Sequence, residues 1–245
     1  MANEQHGRPR GIIGAGPEEP NALVQMGVGA LTVPNIKATQ AELYNGLVAT
    51  STSGWPHLNF DLKGVLGKAS RFMPAGFYSK TFKWPRKLWP TYEAMIRKFA
   101  GFGSAPTESD PEIYDHLYHH VDVLVVGGGA CGLLAALQAG QAGLKTVLLD
   151  EQSEFGGWLL SDPNANIDGR NSEAFIRSAL ETLKGMPNVT CLSRTTAFGF
   201  YQENLVQAVE LLQDHLPIGS RKPHQPRQRQ HKIRAHHVVL ATGAI

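Results

Sequence analysis

The sequence is poor in cysteine. Only Cys131 and Cys191 occur in 245 residues, with no CxxC spacing and no ligand cluster around them. Neither a zinc site nor an iron–sulfur site can be read from such thiols. Two scattered cysteines suit a reducing compartment, the cytoplasm. A dominant charge is missing too. The formal net charge is +2, which points neither to nucleic acid nor to acidic substrates. The start, MANEQHGRPRG, lacks the apolar core of a signal peptide. Residues 123–144 carry no charge, but glycines break the run, Gln138 and Gln141 interrupt it, and its first part reads as a β-strand. It is not read as a membrane span.

What is present divides into three regions. The first, residues 1–58, is rich in glycine and proline at its start. ALVQMG and ALTVPN within it suggest a hairpin, and Gly14-Ala15-Gly16 before PEEP reads as a plain turn. In the second, 59–120, basic residues dominate from Phe60 to Gly103, opposed only by Asp61 and Glu93. Aromatics such as Phe77, Trp84 and Trp89 are interleaved. We read this region as an arm of short helices broken at Pro74, Pro85 and Pro90, of the kind that packs on a partner, rather than as a nucleic-acid or membrane surface.

The third region, 121–245, opens as strand, glycine loop, helix and strand: VDVLVV, GGGACG, LLAALQAGQAG, KTVLLD. The helix is expected to end at Gly143. The spacing of Ala174, Phe175, Ala179, Leu180 and Leu183 predicts a second helix over 172–184. VTCLSRTTAFGFY reads as a strand pair or one bent strand. The acid-free run between Ser220 and His237 reads as a solvated hairpin tip and strand.

GGGACG fits GxGxxG with Gly127, Gly129 and Gly132, and it stands in the required context of a buried strand before and a helix after. Gly127 permits the tight turn, Gly129 lets backbone approach a pyrophosphate, and Gly132 lets the helix pack close to the strand. Free N–H groups and the helix dipole then favour phosphate. Asp150 ends the next strand, followed by Glu151. An acid there can accept hydrogen bonds from adenosine ribose hydroxyls and would repel a 2′-phosphate. Cys131 near the helix start is expected as a small buried residue rather than a reactive thiol.

Two further motifs narrow the class. Gly156-Gly157 follows the acid in SEFGGWLL, and Ala241-Thr242-Gly243 ends a late strand. GxGxxG, acid, GG and ATG in that order resemble the two-dinucleotide flavoproteins that include thioredoxin reductase. PRGIIGAGPEEPNALV, PNIKATQAELYNGL, AGFYSKTFKWPRKLW and RTTAFGFY resemble, more specifically, the α subunit of heterotetrameric sarcosine oxidase, over nearly the whole chain. The fold implied is α/β: a partial Rossmann-like domain preceded by an irregular, partly helical arm.

The resemblance implies that the complete enzyme oxidises the N-methyl group of sarcosine to give glycine, hydrogen peroxide and a one-carbon unit, released as formaldehyde or as methylenetetrahydrofolate when tetrahydrofolate accepts the carbon. It implies β, γ and δ partner subunits, a catalytic FAD in β, and FMN between α and β. It further implies NAD in this loop, with FAD as the alternative. Carried over by motif, Gly127, Gly128, Gly129, Ala130, Gly132, Asp150, Glu151 and Gly157 line the dinucleotide, and Thr242 and Gly243 close over its pyrophosphate side. Trp158 stands where the family often has Arg, and either stacks on a base or packs. No catalytic acid, base or nucleophile stands out. The family α subunit is several times longer, so the chain is expected to be a fragment and inactive alone.

Overall fold

The computed structural model describes residues 23–52, 56–57, 60–61, 85–99, 102–162, 164–167 and 169–243. They fall into two units, one up to Pro111 and one spanning Glu112–Ala244. In the first, β1 (Leu23–Met26) pairs antiparallel with both β2 (Val33–Lys37) and β3 (Ala49–Ser51), so the expected hairpin forms. The segment after residue 102 is tied to it: Gly103 N–H donates to Asn35 Oδ1 at 2.8 Å and Ser104 N–H to Gln25 Oε1 at 3.1 Å. Strands β4 (Pro56–His57) and β5 (Phe60–Asp61) form a short pair. Helix α1 (Trp89–Phe99) begins at, rather than breaks at, Pro90. The first helical turn has no intrahelical partner for its N–H groups, so the missing proline N–H costs nothing there. The Gly14–Gly16 turn and Pro74 lie outside the described residues.

The second unit is built on a six-stranded sheet. Its strands are β6 (Tyr114–Val126), β7 (Thr146–Leu149), β10 (Val189–Leu192), β11 (Thr195–Tyr201), β12 (Leu205–Leu211) and β13 (Gln228–Leu240), in the order β10-β7-β6-β13-β12-β11. The first four are parallel; β13, β12 and β11 form an antiparallel meander. A two-strand pair, β8 (Asn166–Ile167) and β9 (Arg170–Asn171), lies outside this sheet. Helix α2 (Ala130–Gln141) connects β6 to β7 and starts within the glycine motif, three residues before the expected run; α3 (Ser172–Lys184), over the predicted residues, leads to β10. Asn171 caps α3 by accepting from Ala174 N–H at 2.8 Å. At the other end of α2, Gly143 takes φ +77, and Asn188 Nδ2 donates to the carbonyls of Gly140 and Leu144.

Both faces of the parallel sheet are buried, which is why VDVLVV is apolar almost throughout. Val123 and Val125 pack with Leu133 and Ala136 of α2 and with Phe175, Ala179 and Leu183 of α3. Leu124 and Val126 point the other way, into a cluster made of strands alone, with Val147, Leu149, Val206, Ala208 and Ile233. The bases of 220–237 divide. Lys222 and His224 are solvated as expected, but Arg227 and His231 are buried. Arg227 is paired with Asp214, at 2.5 Å, and His231 Nε2 is hydrogen-bonded to Glu210, at 2.9 Å. The acids come from elsewhere in the chain, so the local composition concealed them. No helix among the described residues is long and apolar enough to cross a membrane.

Candidate dinucleotide site

Strand order alone brings the motifs together. β6, β7 and β13 are parallel neighbours, so the segments leaving their C-terminal ends emerge side by side. These segments carry the glycine loop, the acid and the ATG turn. Gly127 N–H donates to Leu149 O at 2.8 Å and Ala241 N–H to Val126 O at 2.8 Å, extending the sheet to the edge of the loop. Gly127 takes φ +102, and a side chain there would collide with the Ala241 carbonyl. Gly132 is pressed against the Gly127 carbonyl, as close helix–strand packing requires.

Gly129 differs from both. It caps α2 with an extended backbone (φ −72°, ψ −170°), no side-chain cap bond is made, and a Cβ added there meets nothing within 4 Å. Open space therefore lies directly before the N-terminus of a twelve-residue helix. Gly128 is covered instead: Phe155 packs against it and its carbonyl accepts from Gly156 N–H at 2.9 Å. A Cβ at Gly157, which has φ +54, would lie 3.1 Å from Gly129 Cα. The GG motif thus backs the glycine loop residue by residue.

Asp150 is buried and already engaged. Its Oδ2 accepts from Gly128 N–H at 2.6 Å, its Oδ1 from Gln152 N–H at 2.8 Å. Each carboxylate oxygen keeps a second lone pair. The acid therefore fixes the loop and still has acceptor capacity for hydroxyls. Glu151 is exposed beside it; Thr242 and Gly243 are exposed at the end of β13, and Ala130, the first residue of α2, is partly buried against the helix-side core. Trp158 is 74% exposed, so its indole is not packed into the core of this unit. Cys131 is exposed, not buried as expected, because the first turn of α2 faces the open end of the sheet. Phe155 and Gln152 were missed by sequence reasoning; only their place between the acid and GG hints at them. Beside the loop after β7 lies a cavity of ≈ 660 Å³ lined in part by Phe155, Leu159, Ile176, Leu180 and Cys191. Burial there pushes the Cys191 thiol up, against the pull of Lys184.

A mostly parallel sheet with helices on one face, a strand-lined cluster on the other and a glycine loop at its carboxyl end defines a Rossmann-like α/β domain. Residues 122–242 match the family of FAD dependent oxidoreductases. Over 240 residues the chain is 50% identical to sarcosine oxidase subunit alpha of Rhizobium meliloti (strain 1021), covering 97% of this chain and 24% of that one. It is 35% identical to the subunit alpha of Corynebacterium sp. (strain U-96), again over 97% of this chain and 20% of the relative. The chain is thus similar to sarcosine oxidase α subunits and spans a quarter or less of their length. Among solved structures, L-proline dehydrogenase from P. horikoshii aligns at 24% identity with a TM-score of 0.42, over 58% of this chain and 26% of that one. Residues 1–54 match a 2Fe-2S iron–sulfur cluster binding domain. That segment contains no cysteine, so the thiolate ligands such a cluster needs are missing and the residues do not fit it.

Proposed function

We propose that the Glu112–Ala244 unit is the nucleotide-binding part of a sarcosine-oxidase-type α subunit and holds an adenine dinucleotide at the glycine loop. The observation that carries this reading is the open space at Gly129 before α2, beside a carboxylate already fixed on Gly128. The pyrophosphate sits at Gly129 and the first-turn N–H groups of α2, where the helix dipole favours its charge. Asp150 takes the adenosine ribose hydroxyls with its remaining lone pairs and disfavours a 2′-phosphate. Gly157 backs the loop, and Thr242 and Gly243 border its pyrophosphate side.

The dinucleotide is NAD on the family resemblance. FAD is the second reading, favoured by the match of residues 122–242 to FAD dependent oxidoreductases. Either group supplies redox chemistry when bound; this chain binds and orients it. The assembled enzyme oxidises sarcosine in the cytoplasm with β, γ and δ subunits, a further FAD, FMN and tetrahydrofolate. Titration calorimetry with NAD, NADP and FAD tests the site. Saturable binding of NAD or FAD supports it, and failure of all three overturns it. Peroxide formation from sarcosine is expected only with the partner subunits; steady turnover by this chain alone, supplied with FAD, FMN and NAD, would overturn the division of labour.

A further inference from the structure

An exposed indole beside a polar loop calls for an explanation, because tryptophan is largely buried on average. Trp158 is held on both sides. Gly157 before it abuts Gly129, and Leu159 after it is buried in the core beneath α2 and α3. The backbone at Trp158 is therefore fixed while its side chain is left in solvent, at 74% exposure. A rigid anchor with a free aromatic ring suits contact with a ligand, since two χ angles are all that binding must order.

The contacts also give a direction. Asp150 Oδ2 lies 2.6 Å from Gly128 N. Gly128 O bonds Gly156 N at 2.9 Å, and Gly157 backs Gly129. The two chains advance in step from the acid toward the N-terminus of α2, and Trp158 is the next residue along. The acid marks the adenosine end, so the backbone that carries Trp158 continues away from that end.

We infer that Trp158 is a binding residue for the half of the dinucleotide distal to adenosine, its indole covering the second base and the adjoining ribose or ribityl unit. The inference rests on the dinucleotide reading above. The indole supplies a flat apolar face that accepts a planar heterocycle by stacking. It makes no demand on the adenine half.

The test compares ADP, NAD and FAD on the full chain, on Trp158→Ala and on Trp158→Phe, with circular dichroism as the check of folding. Trp158→Ala is expected to weaken the dinucleotide that the parent retains by about tenfold or more and to leave ADP affinity unchanged. Trp158→Phe should restore most of the loss. The other tryptophans, Trp55, Trp84 and Trp89, precede the Glu112–Ala244 unit, so the emission missing in Trp158→Phe reports this one indole. It should change on adding the dinucleotide but not ADP. Equal loss of ADP and dinucleotide, or no loss of either, overturns the inference while leaving the loop assignment intact. A parent that binds none of the three overturns both.

Discussion

Gly129 and Gly132 lie on the same loop and fail for opposite reasons when given a side chain. At Gly129 nothing within 4 Å obstructs a Cβ and the backbone is extended, so Gly129→Val should keep its fold. The new side chain occupies the phosphate position, and dinucleotide affinity should fall by about a hundredfold or more on calorimetry. At Gly132 the added methyl strikes the Gly127 carbonyl. Gly132→Ala should therefore destabilise by about 1–3 kcal/mol, read from the urea midpoint. Asp150→Asn removes a charge and turns one of the two accepting oxygens into an amide donor that faces a backbone N–H, losing one of the two bonds. It should abolish the NAD-over-NADP preference and cost about 1–3 kcal/mol of stability. An NADP affinity equal to that of NAD in the parent chain would argue against the ribose role.

At the level of elements, the meander carries a polar chain through its strands. Asp115 of β6 holds Arg229 of β13 through two bonds at 2.9 and 3.0 Å. Arg229 Nη1 lies 3.9 Å from Glu210 of β12. Glu210 bonds His231 Nε2 at 2.9 Å, and His231 Nδ1 meets His119 Nε2 at 2.8 Å. A carboxylate only accepts, so His231 donates to Glu210 and, when neutral, accepts from His119. Burial first, then His231, Lys145 and Arg229, hold the His119 imidazole below its ordinary range, with Glu210 opposing. A lowered histidine leaves the unfolded chain to take up the proton first. Its contribution to stability is whole above the ordinary histidine value of about 6.5 and is lost as pH falls below it. His119→Gln keeps a donor for His231 without titrating. Urea midpoints at pH 7.5 and 5.5 should differ less in that variant than in the parent; an unchanged difference would dismiss His119 as the titrating group. On α3, Asn171→Ala removes the N-cap bond and should cost about 1 kcal/mol on the same measurement.

At the scale of the molecule, every residue assigned to the dinucleotide belongs to the unit Glu112–Ala244. That unit has its own two clusters of buried residues, one under the helices and one under the meander. A chain shortened to begin at Glu112 should therefore retain the dinucleotide affinity of the whole to within about threefold on calorimetry. A loss much larger than that would mean that residues before Glu112 contribute to the site.

The amino-acid sequence by itself determined the strand–loop–helix unit, the second helix over 172–184 and the motifs GxGxxG, acid, GG and ATG. Each of these is written in local spacing: a period of 3.6, glycines where backbone must turn or approach, and an acid at the end of a strand. Tertiary structure decided what those residues meet. Parallel pairing of β6 with β7 and β13 sets three distant segments at one edge. The acid turns inward onto Gly128, Phe155 covers the loop, and Trp158 is left outside. The burial of His231 and Arg227 belongs to the same category. A run of bases with no acid reads as a solvated strand until the sheet supplies Glu210 from β12 and the loop after it supplies Asp214. Local pattern fixes which backbone can form, while burial and charge pairing depend on neighbours that only the fold brings into reach.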